Sequence, residues 1–370
     1  MKYLRLFTIS SLFLLIVILM SACSGSGAVP ASSWPGVSIN QDTVYLAYNQ
    51  FVYAINLESG TLKWSYPADK PDKTQSFYAA PVLTEKGDVI VGGYDKKLYK
   101  LNASNGSVIW VFDGAQNRYI ASPLVTTNGI FAPNGDGNLY ALDDNKNTLW
   151  NAFPTGKPLW AKPTTDSNCN CIYLPSMDHH LYAVDAKTGK ELWQSPDLGG
   201  ALVAEPTLDM DGTIYLGTFG KEMLALKTST GEIKWRFATG GWVWSGARLV
   251  DGKLYFGDLK GNFYILDATS GAKISEELLD GPIASTPTVE NNTIYFGTEA
   301  GTIYAYNLDG SRAWMKSIAN IQKDNQPIGG KLYSPVVTAG DVILVAPAES
   351  KTFLVALDSN GEVKWLYSGK

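Results

Sequence analysis

The sequence predicts an all-β fold, an eight-bladed β-propeller of four-stranded antiparallel blades, and three features predict it. A unit of about 43 residues recurs eight times, a period suited to propeller blades. Seven units close on a Trp and one on a Ser. Gly (36) and Pro (18) punctuate short alternating runs across the 370 residues, and no long helical pattern interrupts them.

Each unit carries three strand-like runs in a fixed order. The first alternates, as in Thr213-Ile-Tyr-Leu-Gly-Thr218, and the second follows a short turn, as in Leu181-Tyr-Ala-Val-Asp185. Next comes a turn holding Gly60, Gly106, Gly189, Gly231, Gly271, Gly310 or Gly361, with Asn147 expected in that role in the third unit. These residue types tolerate the left-handed backbone such a turn demands. The third run carries Trp64, Trp110, Trp150, Trp193, Trp235, Ser275, Trp314 or Trp365. Each Trp is expected to fill the gap between neighbouring blades, so Ser275 should leave the sixth blade weaker there. A fourth strand precedes each unit and follows a small residue and a Pro, as in Ala79-Ala-Pro81, Ala161-Lys-Pro163 and Ser285-Thr-Pro287. Pro is tolerated at strand starts. The blades account for residues 34–370.

The 30 Lys and Arg against 35 Asp and Glu leave a formal charge of -5, which argues against a nucleic-acid footprint and a polybasic membrane patch. Two His and three Cys leave little material for a metal-dependent enzyme. Residues 1–23 carry Lys2 and Arg5, then an apolar run from Leu6 to Met20, then Ser21-Ala22-Cys23. This resembles a lipoprotein signal peptide ending in a lipobox, with Cys23 the lipidated residue and Met20 a mild departure; an uncleaved N-terminal anchor is the alternative. Residues 24–33, rich in Gly and Ser, read as a flexible tether. Either way the globular part lies outside the cytoplasm, at the periplasmic face of the outer membrane if the cell has two membranes.

The run Leu-Tyr-Ala-Val-Asp-x-x-Thr-Gly-x-x-x-Trp (181–193) resembles the propeller repeat of the pyrroloquinoline quinone (PQQ) family, and the likeness covers all eight units. Two kinds of protein share that repeat: quinoprotein dehydrogenases, and non-enzymatic envelope proteins such as the BamB-type outer-membrane assembly lipoproteins. The first kind implies PQQ and Ca²⁺, held by an adjacent-Cys disulfide, a Trp, carboxylates and Asn. No adjacent Cys pair stands here. Cys169 and Cys171 are separated by Asn170 and read either as a local disulfide or as two residues without function. His179 and His180 fall in a hairpin turn, where neighbours point apart, and Asp95, Asp136 and Asp178 are turn formers there. No cofactor, metal ligand or catalytic residue is therefore assigned.

The informative positions precede the fourth strands. Tyr78, Ile120, Trp160, Val203, Trp244 and Ala284 occupy one place in successive units, with Arg118, Tyr119 and Trp242 beside them. Lys162 and Glu205 sit on adjacent blades, close enough for an ion pair across the channel. Tyr78, Arg118, Tyr119, Trp160, Lys162, Glu205, Trp242 and Trp244 are the candidates for a channel-mouth site that takes a peptide, sugar or flat small molecule; ordinary packing of the pore is the competing reading. Two long connections, 67–76 and 316–330, should project on the same face. The function expected is a non-enzymatic, membrane-tethered envelope scaffold that binds envelope proteins, as a monomer or as a subunit of a complex, and binds no nucleic acid. A quinoprotein-like dehydrogenase is the alternative, and a surface adhesin or carbohydrate-binding module a further one.

Overall fold

Short strand runs, buried on both faces in the two middle strands of each sheet, pair with their chain neighbours throughout. In the fifth blade, Thr213–Thr218 lies antiparallel to Glu222–Lys227, with Thr213 opposite Lys227 and Thr218 opposite Glu222. Thr207–Leu208 flanks the pair on one side and Ile233–Ala238 on the other. The computed structural model describes residues 34–166 and 168–369. It contains eight such four-stranded antiparallel sheets, each built from consecutive strands, at 36–66, 82–112, 124–154, 164–194, 207–238, 248–278, 288–317 and 337–367. These are blades 1 to 8. The expected signal segment (1–23), with Cys23, and the expected tether (24–33) lie outside the described residues.

The apolar interior is divided into eight clusters, one at each seam between neighbouring blades. Leu124, Phe131 and Trp150 of blade 3, for example, pack on Ile172, Leu174 and Val184 of blade 4. The last seam joins blade 8 to blade 1, where Val44, Leu46 and Ile55 meet Leu344, Leu354 and Ala356. Blades 1 and 8 each own all four strands, so the ring closes by packing and not by strand exchange.

Seven Trp residues, one in every blade but the sixth, bridge the seams. Each indole N–H donates to a carbonyl in the turn before the outer strand of the next blade: Trp64 to Ala103, Trp110 to Asp144, Trp150 to Ala186, Trp193 to Thr228, Trp235 to Ala268, Trp314 to Ser359 and Trp365 back to Leu57. Six of these seven rings also lie on the Gly of that turn, Trp110 being the exception. A Cβ on Gly189 would sit 2.5 Å from the Trp150 ring, and Gly189 has φ of 68°. In blade 3 the left-handed residue is Lys146 (φ 74°), not Asn147. That turn is one residue shorter than its counterpart at 185–193, which shifts the position by one.

Ser275 does not leave its seam open. The carbonyl that a Trp would reach, Leu308 O, accepts from the Tyr255 hydroxyl at 2.8 Å and from Lys253 Nζ at 3.3 Å. Tyr255→Phe should cost about 1 kcal/mol by removing the better of these bonds. A urea midpoint unchanged from wild type would show that Lys253 suffices.

Candidate binding funnel

The antiparallel order places the ends of each blade on two faces. Turns between the first and second strands, and between the third and fourth, share one face. Second-to-third turns and blade-to-blade connections share the other. Both long connections, 67–76 and 316–330, are blade-to-blade, so they stand on this second face, where 316–330 folds into a short 3₁₀ turn (Ile318–Asn320) and a two-stranded hairpin.

Every connection on that face delivers one side chain to the channel. Trp34, Tyr78, Ile120, Trp160, Val203, Trp244, Ala284 and Tyr333 come from blades 1 to 8 in turn and line a funnel of about 410 Å³. The residue before each of the last three tucks the opposite way, under a strand Gly: a Cβ on Gly217 would strike Val243, on Gly257 Ile283 and on Gly297 Leu332. This alternation explains what the candidate list contained in error. Tyr119 holds the tucked position, lies over Gly92 and is fully buried in the seam of blades 2 and 3, so it does not reach the funnel. It also explains an omission. In blade 8 the Pro stands one place earlier, so Tyr333, four residues before the strand at Val337, stands where Trp244 stands although its offset from Pro335 differs. Trp34 was missed because it precedes the first complete unit.

The polar groups of the funnel are largely satisfied by one another. Lys162 Nζ donates to Glu205 Oε1 at 2.8 Å between adjacent blades, and at this degree of exposure such a pair is worth about 0–1 kcal/mol. It can therefore be exchanged for ligand contacts at small cost. Ser122 Oγ donates to Ala80 O, and Thr286 Oγ1 accepts from Gly246 N, both at 2.9 Å; these bonds tie neighbouring connections together. Aromatic rings extend outward in two branches. Tyr78 stacks on Tyr94 at 3.9 Å, and burial raises the Tyr78 hydroxyl above its ordinary pKa. The exposed Arg118 lies over the Tyr94 ring at 5.0 Å, beside the funnel wall. On the other branch Trp244 meets Phe219, which stacks on the half-exposed Trp242. Of the eight candidates, Tyr78, Trp160, Lys162, Glu205 and Trp244 line the funnel, Arg118 and Trp242 lie beside it, and Tyr119 is enclosed. A second cleft of about 690 Å³ lies between the 322–330 segment and the turn at 349–352 on the same face.

Other singled-out residues are elsewhere or occupied. Cys169 and Cys171 form a disulfide in a first-to-second-strand turn of blade 4, on the opposite face. His180 Nδ1 is 2.9 Å from Ser195 O, and His179 faces Asp197 at 3.3 Å. Asp136 and Asp178 accept from turn N–H groups and from a Tyr hydroxyl, and each also accepts from the backbone of the preceding connection, Gln116 N and Gly156 N. The fully buried Asp258 does the same with Asn262, Tyr264 and Gly241. These carboxylates fasten the funnel face to the blades.

A family model described as outer membrane protein assembly factor BamB matches residues 49–167, 177–246 and 245–369. The chain belongs to this family of PQQ-like propellers. Among curated relatives, BamB of Yersinia pestis is 21% identical over 274 residues, 70% of this chain and 57% of that protein. The quinoprotein alcohol dehydrogenase PedH of Pseudomonas putida is 26% identical over 259 residues, 60% of this chain and 43% of that protein. In both cases the matched stretch spans less than two thirds of the relative. The crystal structure of BamB from Moraxella catarrhalis superposes with a TM-score of 0.71 at 17% identity, covering 86% of this chain and 94% of that one; the likeness establishes the shared fold. The family thus holds assembly factors and has enzymes among its relatives, so function has to be argued from the site.

Proposed function

We propose that the chain is a non-enzymatic cell-envelope scaffold, tethered through Cys23, whose funnel face captures envelope proteins in the manner of outer-membrane assembly factors. One observation carries the reading. Eight side chains, one per blade, form an aromatic-rich funnel on the face that also bears both long connections. Rigid aromatic rings around a concave surface give contact area at low entropic cost, which is what protein recognition uses. The family match and the relatives named for outer-membrane assembly support the same reading.

The alternative, a quinone-dependent dehydrogenase, rests on PedH. The residues present do not fit that cofactor. The disulfide lies on the face opposite the funnel, and Glu205 is engaged by Lys162. Among the described residues no three His, Cys, Asp or Glu side chains converge to hold a metal ion.

The test is a paired substitution, Trp160→Ala with Trp244→Ala, in cells that assemble outer-membrane barrels. Barrel-assembly components crosslinked to the variant in membranes should fall about tenfold relative to wild type. Undiminished recovery with an unchanged melting temperature would rule the funnel out as the capture surface.

A further inference from the structure

A small side chamber opens off the funnel where blades 1, 6, 7 and 8 meet. It encloses about 90 Å³ and is lined by Trp34, Trp244, Tyr333, Leu259, Ala284 and Glu299. Trp34 is its middle wall. Its ring meets Trp244 edge-on at 5.2 Å and 78°, and Tyr333 at 5.7 Å and 35°. Three aromatic walls set at angles, two aliphatic residues and one carboxylate bound the same space.

From this arrangement we infer that the chamber is an aromatic cage for a quaternary or fully alkylated ammonium group. Ring faces carry partial negative charge and attract cations, and a full carboxylate adds to that attraction. The remaining walls are apolar, so a compact, strongly hydrated ammonium would lose its water without replacement. An alkylated ammonium holds its shell loosely and presents methyl groups to the rings. The volume agrees with that choice: about three waters' worth of space accommodates a five-heavy-atom cation.

The carboxylate is available for this role. Among the described residues Glu299 forms no ion pair. Lys331, whose charge acts on it, is engaged by Glu349 at 3.6 Å and lies over the Tyr333 ring at 5.9 Å. Burial raises the Glu299 carboxyl above its ordinary pKa, with Lys331 opposing and Glu349 adding, as befits a carboxylate drawn partly out of water next to apolar walls. The inference stands apart from the scaffold reading, and either can fail without the other.

The test titrates the purified full chain with tetramethylammonium, choline and the neutral isostere 3,3-dimethyl-1-butanol, followed by tryptophan fluorescence and calorimetry. Both cations should saturate in the low-millimolar range or below, and the isostere should bind about tenfold or more weakly. Glu299→Gln should weaken cation binding several-fold, Trp244→Ala should abolish it, and Trp244→Phe should restore most of it. Should Trp244→Ala fail to fold, Glu299→Gln, which alters no packing volume, still decides. Short-chain phosphatidylcholine below its micelle concentration separates the sources: tighter binding than choline assigns a lipid headgroup, weaker binding a free cation. Equal affinity for the neutral isostere, methylammonium binding as tightly as tetramethylammonium, or cation binding unchanged in Glu299→Gln would overturn the inference.

Discussion

Trp150→Ala lowers the free energy of unfolding by about 3–5 kcal/mol, the range for deleting a large buried aromatic. Trp150 is buried in the seam of blades 3 and 4, stacks on Phe131 and donates to Ala186 O at 3.2 Å. Its removal leaves a cavity, an unpaired carbonyl and an empty patch over Gly189. The strands on either side cannot close the gap without losing register. Urea unfolding should show a lower midpoint with little change in slope. The effect should exceed that of Tyr255→Phe several-fold, because the latter deletes a bond and no volume. A loss under about 1 kcal/mol would mean that the indole is an ornament on a seam held by the strands alone.

Lys100→Ala should cost about 3 kcal/mol, although alanine is what most blades carry there. The equivalent positions are Ala54, Ala141, Ala183, Ala225, Ile265, Ala305 and Ala356. Lys100 is only 3% exposed, bonds Asp144 of the next blade and lies 3.2 Å from Asp88. Removing the cation deprives Asp88 of its ion pair at the seam of blades 2 and 3 and leaves Asp144 paired with Lys86 alone. Lys100→Met, which keeps the volume, should still lose most of this amount, because the damage is electrostatic. The pH dependence has a definite sign. Bonds from Lys100, then from Lys86, hold the Asp144 carboxyl below its ordinary range. Such a group contributes its stability above its unfolded value, near about 4, and loses it as pH falls through the lower folded value. Wild type should therefore lose stability in acid more steeply than Lys100→Met. Parallel acid profiles would place the Lys100 effect in packing instead.

How far these features could be read in advance depends on whether they follow the repeat. The Trp girdle and the Gly turns recur in register, and period alone located all of them. Where a blade drops one residue, counting slips by one. Lys146 replaced Asn147 as the left-handed residue for that reason, and Tyr333 went unread because Pro335 stands one place earlier than the Pro of other blades. Tyr119 entered it because adjacent residues on an extended segment point opposite ways, and sequence order does not say which of two points inward. Lys100 is visible as an oddity in the repeat. Its partners are not, because Asp144 arrives from the next blade and charge pairing across a seam leaves no spacing to detect. The cage is hidden for the same reason: Trp34, Trp244 and Tyr333 are far apart in the chain and meet only because eight blades close into a ring.

Site-specific photo-crosslinking in cells bears most directly on the claim that this propeller works through its funnel face. A crosslinker placed at Trp160 or Tyr333 on that face, and separately at the fully exposed Met210 in a first-to-second-strand turn on the other, samples both ends of the same rigid ring. The account predicts adducts with barrel-assembly proteins from the first two positions and none from Met210. Adducts from Met210 alone, or the same yield from all three, would contradict it.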